Sequence, residues 1–252
     1  MYSESIKVDE SRVEYKDGDV LLEGFLCRPS TNASALPAVL VCHAFGGITD
    51  FEEDQARKIA KLGYVSFCVD VYGKGKRGTT PEECYALLNP FRQDRPGLLR
   101  QRLLAGLNHV KSYSFLESKA IAVIGFCFSG LCALDLARIN SGVVAAVSFH
   151  GALQPLPDQA NPEELEPINA SVLVCHGYSD PHIPITQCTD LMTELKARKA
   201  DWYFTAYGDA KHGFTEPKLA NSTREGIGYD EKAANRSWEA MVLHLRDRFS
   251  RS

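Results

Sequence analysis

The sequence predicts an α/β fold: a doubly wound, mostly parallel sheet with helices on both faces and an antiparallel hairpin at its N-terminal edge. Three observations carry the prediction. Apolar runs recur along the chain, amphipathic segments alternate with them, and a turn pair splits the first extended stretch. Strand and helix in alternation imply parallel neighbours, because parallel strands can be joined only by long crossovers.

The hairpin is read from "RVEYKDGDVLLEGFLCRPS", where Asp17-Gly18 lies between two strand-like stretches. "LPAVLVCHAFGG" (36–47), "YVSFCVDVYG" (64–73), "AIAVIGFC" (120–127), "VVAAVSFHG" (143–151), "SVLVCHG" (171–177) and "ADWYFTAYG" (200–208) are continuous runs rich in β-branched residues. Such runs mark strands buried on both faces. Helical spacing marks 51–63, 96–113, 130–140, 185–199 and 231–249. The polar excursions at 73–95 and 151–169 are too long for plain connectors and are expected to cover a site. No linker or composition break divides the chain, so one domain over 1–252 is expected.

Composition narrows the function classes. Hydrophobic residues at 44% and charged residues at 24% are ordinary for a globular chain with a sizeable core. A net charge of -4 argues against a nucleic-acid partner, which needs a clustered basic face. No run approaches the roughly 18 apolar residues of a membrane span, and "MYSESIKVDE" lacks the features of a signal peptide. The expectation is a cytoplasmic protein without a membrane partner. Eight scattered cysteines without a C-x-x-C fit reduced, buried thiols better than a disulfide framework or a zinc ribbon.

One cysteine stands apart. In "VIGFCFSG" (123–130), Cys127 lies where a strand gives way to a helix, and Gly125, Cys127 and Ser129 match a G-x-nucleophile-x-small turn. That bend lifts the nucleophile above the sheet, and the helix N-terminus behind it favours thiolate. Cys42, Cys68 and Cys175 also end apolar strands and read as buried. Asp180, in "HGYSDPHIP", and His212, in "GDAKHGF", follow later strands. Singly, Asp180 before Pro181 suits a turn and a loop histidine suits solvent. Nucleophile, acid, histidine is nevertheless the chain order of α/β-hydrolase triads, with His212 moving the proton and Asp180 fixing its tautomer. His182 reads as packing or solvated, His109 and His244 lie on helices, and His150 ends a strand. Oxyanion donors are expected from the amides of Phe128, after the nucleophile, and Ala44, in "HAFGG".

Together "HAFGG", "VDVYG", "GFCFSG", "HGYSDPHIP" and "AKHGF" resemble the dienelactone hydrolase family over nearly the whole chain. The resemblance implies an α/β-hydrolase fold, Cys127, Asp180 and His212 as triad, oxyanion amides on Ala44 and Phe128, and neither cofactor nor metal. Two positions depart from the family pattern. His43 replaces a glutamate that helps to activate the thiol; it is expected to bond substrate or thiolate, or to line the pocket. Glu216, in "HGFTE", replaces an arginine that holds the substrate carboxylate, and an acid there repels an anionic lactone. Lys74, Lys76, Arg77, Arg92 and Arg95 could supply positive charge but read as solvated surface.

The expected activity is dienelactone hydrolase-like, cysteine-dependent hydrolysis of small carboxylic esters or lactones through a thioester, with Glu216 speaking against dienelactone itself as substrate. His43, Phe45, Tyr72, Phe126 and Phe214 are the candidate substrate-binding residues, though the aromatics fit a core equally. Two rivals keep the thiol: attack on activated phosphoesters, and a low-turnover redox or binding protein with Cys132 as resolving thiol. The pairs Cys42-His43 and Cys175-His176 suggest a metal, but adjacent strand residues point to opposite faces, so no metal is expected.

Overall fold

A computed structural model describes residues 6–251 except 32, 34 and 160, and, at 118, the backbone alone. The chain forms two compact units, Met1–Val123 and Ile124–Ser252.

The first unit begins with the expected hairpin. β1 (Val8–Asp17) and β2 (Val20–Pro29) pair antiparallel, Asp17 facing Val20 across a turn that contains Gly18 at φ 56°. Glycine takes that left-handed conformation without steric cost. β3 (Leu36–Cys42) and β4 (Val65–Val69) pair parallel, and β2 runs antiparallel to β4. The strand order is β1-β2-β4-β3-β5, where β5 (Leu116–Phe126) leads out of the unit. α1 (Asp50–Ala60) connects β3 to β4, and α3 (Arg100–Lys111) precedes β5.

The excursion at 73–95 holds a helix that periodicity missed, α2 (Pro81–Gln93). Its start is coded locally: the Thr80 side chain accepts from the Glu83 amide, Glu83 reaches back to the Thr80 amide, and Pro81 opens the helix. Pro90 inside it interrupts the pattern and hides it from a periodicity reading.

In the second unit the order continues from β5 through β6 (Ala145–Phe149), β7 (Ser171–Gly177) and β8 (Trp202–Tyr207), with β6, β7 and β8 parallel. β4, β6 and β7 are buried along their whole length, as their unbroken apolar runs require. β8 ends the strand order and is only partly buried. α4 (Phe128–Arg138) follows β5 and is buried at every position; each of its three leucines contributes about 1.5–3 kcal/mol by leaving water. α5 (Ile185–Ala197) and α6 (Glu231–Phe249) complete the unit. The excursion at 151–169 carries one short turn of helix, Pro162–Glu164. Strands and helices alternate along the chain after the antiparallel hairpin, an α/β order. Among the described residues, no helix is long and apolar enough to cross a membrane.

Candidate active site

The site is built where β5 turns into α4. Cys127 takes φ 57° and ψ -122°, a backbone strain on the order of 1–3 kcal/mol for a residue with a Cβ. The neighbours hold it there. Its amide lies 3.0 Å from the Phe149 carbonyl, and the Ser129 hydroxyl accepts from the Phe126 amide at 2.7 Å while donating to the Phe126 carbonyl at 2.9 Å. Small residues are obligatory: a Cβ on Gly125 would stand 1.8 Å from the Ser129 carbonyl oxygen, and one on Gly130 2.7 Å from the Gly151 Cα. Ser129 is itself fully buried.

Two loops bring the expected partners to the sulfur. Asp180 follows β7, its side chain buried, and its Oδ1 accepts from the His182 amide at 2.8 Å. His212 follows β8, clamped where its amide donates to the Gly226 carbonyl and its carbonyl accepts from the Gly228 amide. Gly177 lets this loop approach, because a Cβ there would meet the Ala210 carbonyl oxygen at 2.6 Å. His212 Nδ1 donates to Asp180 Oδ2 at 2.8 Å, and Nε2 lies 3.0 Å from Cys127 Sγ. Burial opposes charge on this imidazole. The charge of Cys127, the hydrogen bonds to Asp180 and Cys127, and the charge of Asp180 outweigh that, and hold its pKa at about 10. It is thus an imidazolium at neutral pH, next to a half-buried sulfur.

Among the described residues the other seven cysteines are buried. Burial raises Cys42 and Cys175 to about 12 and Cys27 to about 11, which disfavours the reactive thiolate. Cys132, weighed as a resolving thiol, lies fully buried within α4.

Several expected pocket residues are engaged elsewhere. The Ala44 amide donates to Glu52 Oε1 at 3.0 Å, so it is not the free oxyanion donor expected of it. Glu52 Oε2 accepts from the Thr49 amide and hydroxyl, completing the capping box of α1. His43 is fully buried, with Nδ1 donating to the Ala44 carbonyl at 2.7 Å and Nε2 accepting from the Val71 amide at 3.2 Å. Burial lowers its pKa to about 4, and neither nitrogen is left for a substrate or a thiolate. Tyr72 is buried and donates its hydroxyl to the Phe45 carbonyl. Phe126 stacks on Phe149 at 4.8 Å, and Phe214 is fully buried; both are core. Phe45 alone of that set is partly exposed, its ring 5.7 Å from that of Tyr85. Phe128, the other proposed donor, opens α4, so its amide is one that the helix cannot satisfy itself.

Glu216 is buried and paired at 3.0 Å with Lys218, a cation that the sequence reading of its repulsion did not include. Lys74 is paired with Glu14, and Arg77 donates to the Ile48 carbonyl. Sequence reasoning passed over His150, which touches both the elbow and the His212 loop. Its place at the carboxyl end of β6, where ligands of open parallel sheets gather, was the available signal.

The sequence model of the dienelactone hydrolase family matches residues 22–249. A putative carboxymethylenebutenolidase of Salmonella typhimurium is 25% identical over 228 residues, 88% of this chain and 81% of its own. Two solved structures cover 96% of the chain. One, described as m3DLH, has 31% identity and a TM-score of 0.89 over 99% of its length. The other, the dienelactone hydrolase-like promiscuous phosphotriesterase P91 from metagenomic libraries, has 29% identity and a TM-score of 0.88 over 98% of its length.

Proposed function

The chain belongs to the dienelactone hydrolase family and is a hydrolase acting on ester bonds, and from that premise we propose that it cleaves small carboxylic esters or lactones through a Cys127 thioester. The observation that carries the reading is the 3.0 Å approach of His212 Nε2 to Cys127 Sγ at a strained elbow.

The proposed reaction starts from the thiolate form of Cys127 beside the His212 imidazolium. The Cys127 sulfur attacks the carbonyl carbon, forming a C–S bond and moving the carbonyl electrons onto oxygen. The Phe128 amide, at the positive end of α4, receives that charge. Collapse of the intermediate breaks the ester C–O bond, and His212 Nε2 gives its proton to the departing alkoxide. In a lactone that alkoxide stays tethered to the acyl chain. Water then attacks the thioester, the now neutral His212 takes its proton, and the thiolate leaves with the imidazolium restored. Asp180 keeps the Nδ1 proton in place, and hence the Nε2 orientation, throughout.

The test compares wild type, Cys127→Ala and Cys127→Ser on short-chain and aryl esters. Turnover is expected to fall by about a thousandfold or more in both variants with folding intact, as for loss of a nucleophile. Retained esterase activity in Cys127→Ala excludes the thioester. The likeness to P91 favours a second reading, attack of the same thiolate on aryl phosphotriesters, and these belong in the same panel.

A further inference from the structure

A second histidine links the two halves of the proposed machinery. His150 ends β6 with φ 39°, and its ring is fully buried. Nδ1 accepts from the Cys127 amide at 3.2 Å, and Nε2 donates to Thr215 Oγ1 at 2.8 Å. Thr215 lies three residues beyond His212 on the same loop, and the His150 ring packs edge-on against His212 at 5.4 Å and Phe214 at 5.1 Å.

We propose that His150 is a positioning residue, a strut that sets the Cys127–His212 separation by tying the elbow amide to the Thr215 hydroxyl. The inference rests on the thiolate–imidazolium reading of the site. An amide can only donate, so Nδ1 must carry a lone pair and the ring proton must sit on Nε2, where Thr215 receives it. A phenylalanine would fill the same space and make neither bond. Burial, followed by the charges of His212 and His176, holds the His150 pKa well below its ordinary value. The ring therefore stays neutral beside the His212 imidazolium. Protonation would turn Nδ1 into a second donor facing the Cys127 amide and break the strut at its elbow end. The left-handed backbone of His150 fits this role, since such strain persists only where surroundings over-determine it.

The test uses Thr215→Val, His150→Asn and the double variant. Valine keeps the shape of threonine and removes the hydroxyl. Asparagine tolerates the left-handed backbone and keeps an acceptor near the Nδ1 position, but cannot span to Thr215. Two quantities are read: the rate of Cys127 alkylation by iodoacetamide against pH, and kcat and KM on an aryl ester. Each single variant is expected to lower kcat about tenfold or more at unchanged KM, as small misplacements of reacting groups do. Each should also move the acid limb of the alkylation profile upward. The double variant should lose no more than the worse single, because both substitutions remove the same His150–Thr215 bond. The groups facing this cluster are Cys127, Asp180, His176, His182 and His212, and none is altered by the substitutions. Wild-type alkylation profiles and kcat in the variants, or losses that simply add, overturn the strut. If His150→Asn does not fold, Thr215→Val alone decides. Alkylation reports on the sulfur whether or not esters are substrates. A wild type inert to esters, with profiles still shifted in the variants, defeats the ester reading and leaves the strut standing.

Discussion

In the proposed reaction a single residue pair, Cys127 and His212, sets the chemistry, and its protonation can be measured directly. Cys127 is the one cysteine only half-buried among the eight described, so iodoacetamide should add one carbamidomethyl group to the native protein and none to Cys127→Ala. Mass spectrometry counts it; modification of a second cysteine under native conditions would contradict the burial of the rest. His212 is held at about 10, and its largest supporting contribution is the charge of Cys127. In Cys127→Ala the His212 pKa should therefore fall, as NMR titration of the ring would record. The sign for stability follows. The folded value lies above the ordinary 6.5, so this group's contribution is fully present below about 6.5 and is lost as pH rises through about 10. Denaturant unfolding at pH 7 and pH 10 should differ more in wild type than in Cys127→Ala.

Elements decide where such pairs can form, and the β5–α4 turn does so through close packing. Gly125→Ala would drive a Cβ into the Ser129 carbonyl and should cost about 3 kcal/mol or more. Gly208→Ala meets nothing within 4 Å and should change stability by less than about 0.5 kcal/mol. Chemical denaturation of the two variants makes the comparison. α1 acts differently, through Glu52, which accepts from Ala44 and Thr49 in the preceding loop. The elbow was legible from a short motif, because turn chemistry involves residues a few positions apart. α2 was passed over although Thr80 and Glu83 carry a capping box, because Pro90 breaks the apolar period on which the helix reading relied.

At the scale of the molecule, long-range polar contacts hold the irregular segments. In the second unit Arg138, fully buried, bonds Glu194 of α5 through Nε and Nη2, Asp135 through Nη1, and the carbonyls of Leu153 and Gln154 through its two terminal nitrogens. Arg198 adds bonds to the carbonyls of Arg138 and Glu166. The excursion at 151–169 is thereby fastened to α4 and α5 at several points along its length. Arg138→Met would leave buried carboxylates without their cation, at a cost of about 3–5 kcal/mol. A fall in melting temperature on the order of 10 °C is expected in calorimetry. An unchanged Tm would mean that the network is replaceable by apolar packing.

The sequence by itself determined the alternation of strands and helices, the elbow around Cys127 and the order in which Asp180 and His212 follow it. Those are properties of period, turn chemistry and chain order, and they need no knowledge of distant neighbours. Only the tertiary structure decided that the Ala44 amide is taken by Glu52, that both His43 nitrogens are spent on backbone, and that Phe126 and Phe214 are core. It alone revealed that His150 reaches a hydroxyl 65 residues away. Apolar periodicity says which face of an element is buried. It is blind to hydrogen-bond partners, because those are chosen by proximity in space among residues that the chain keeps far apart.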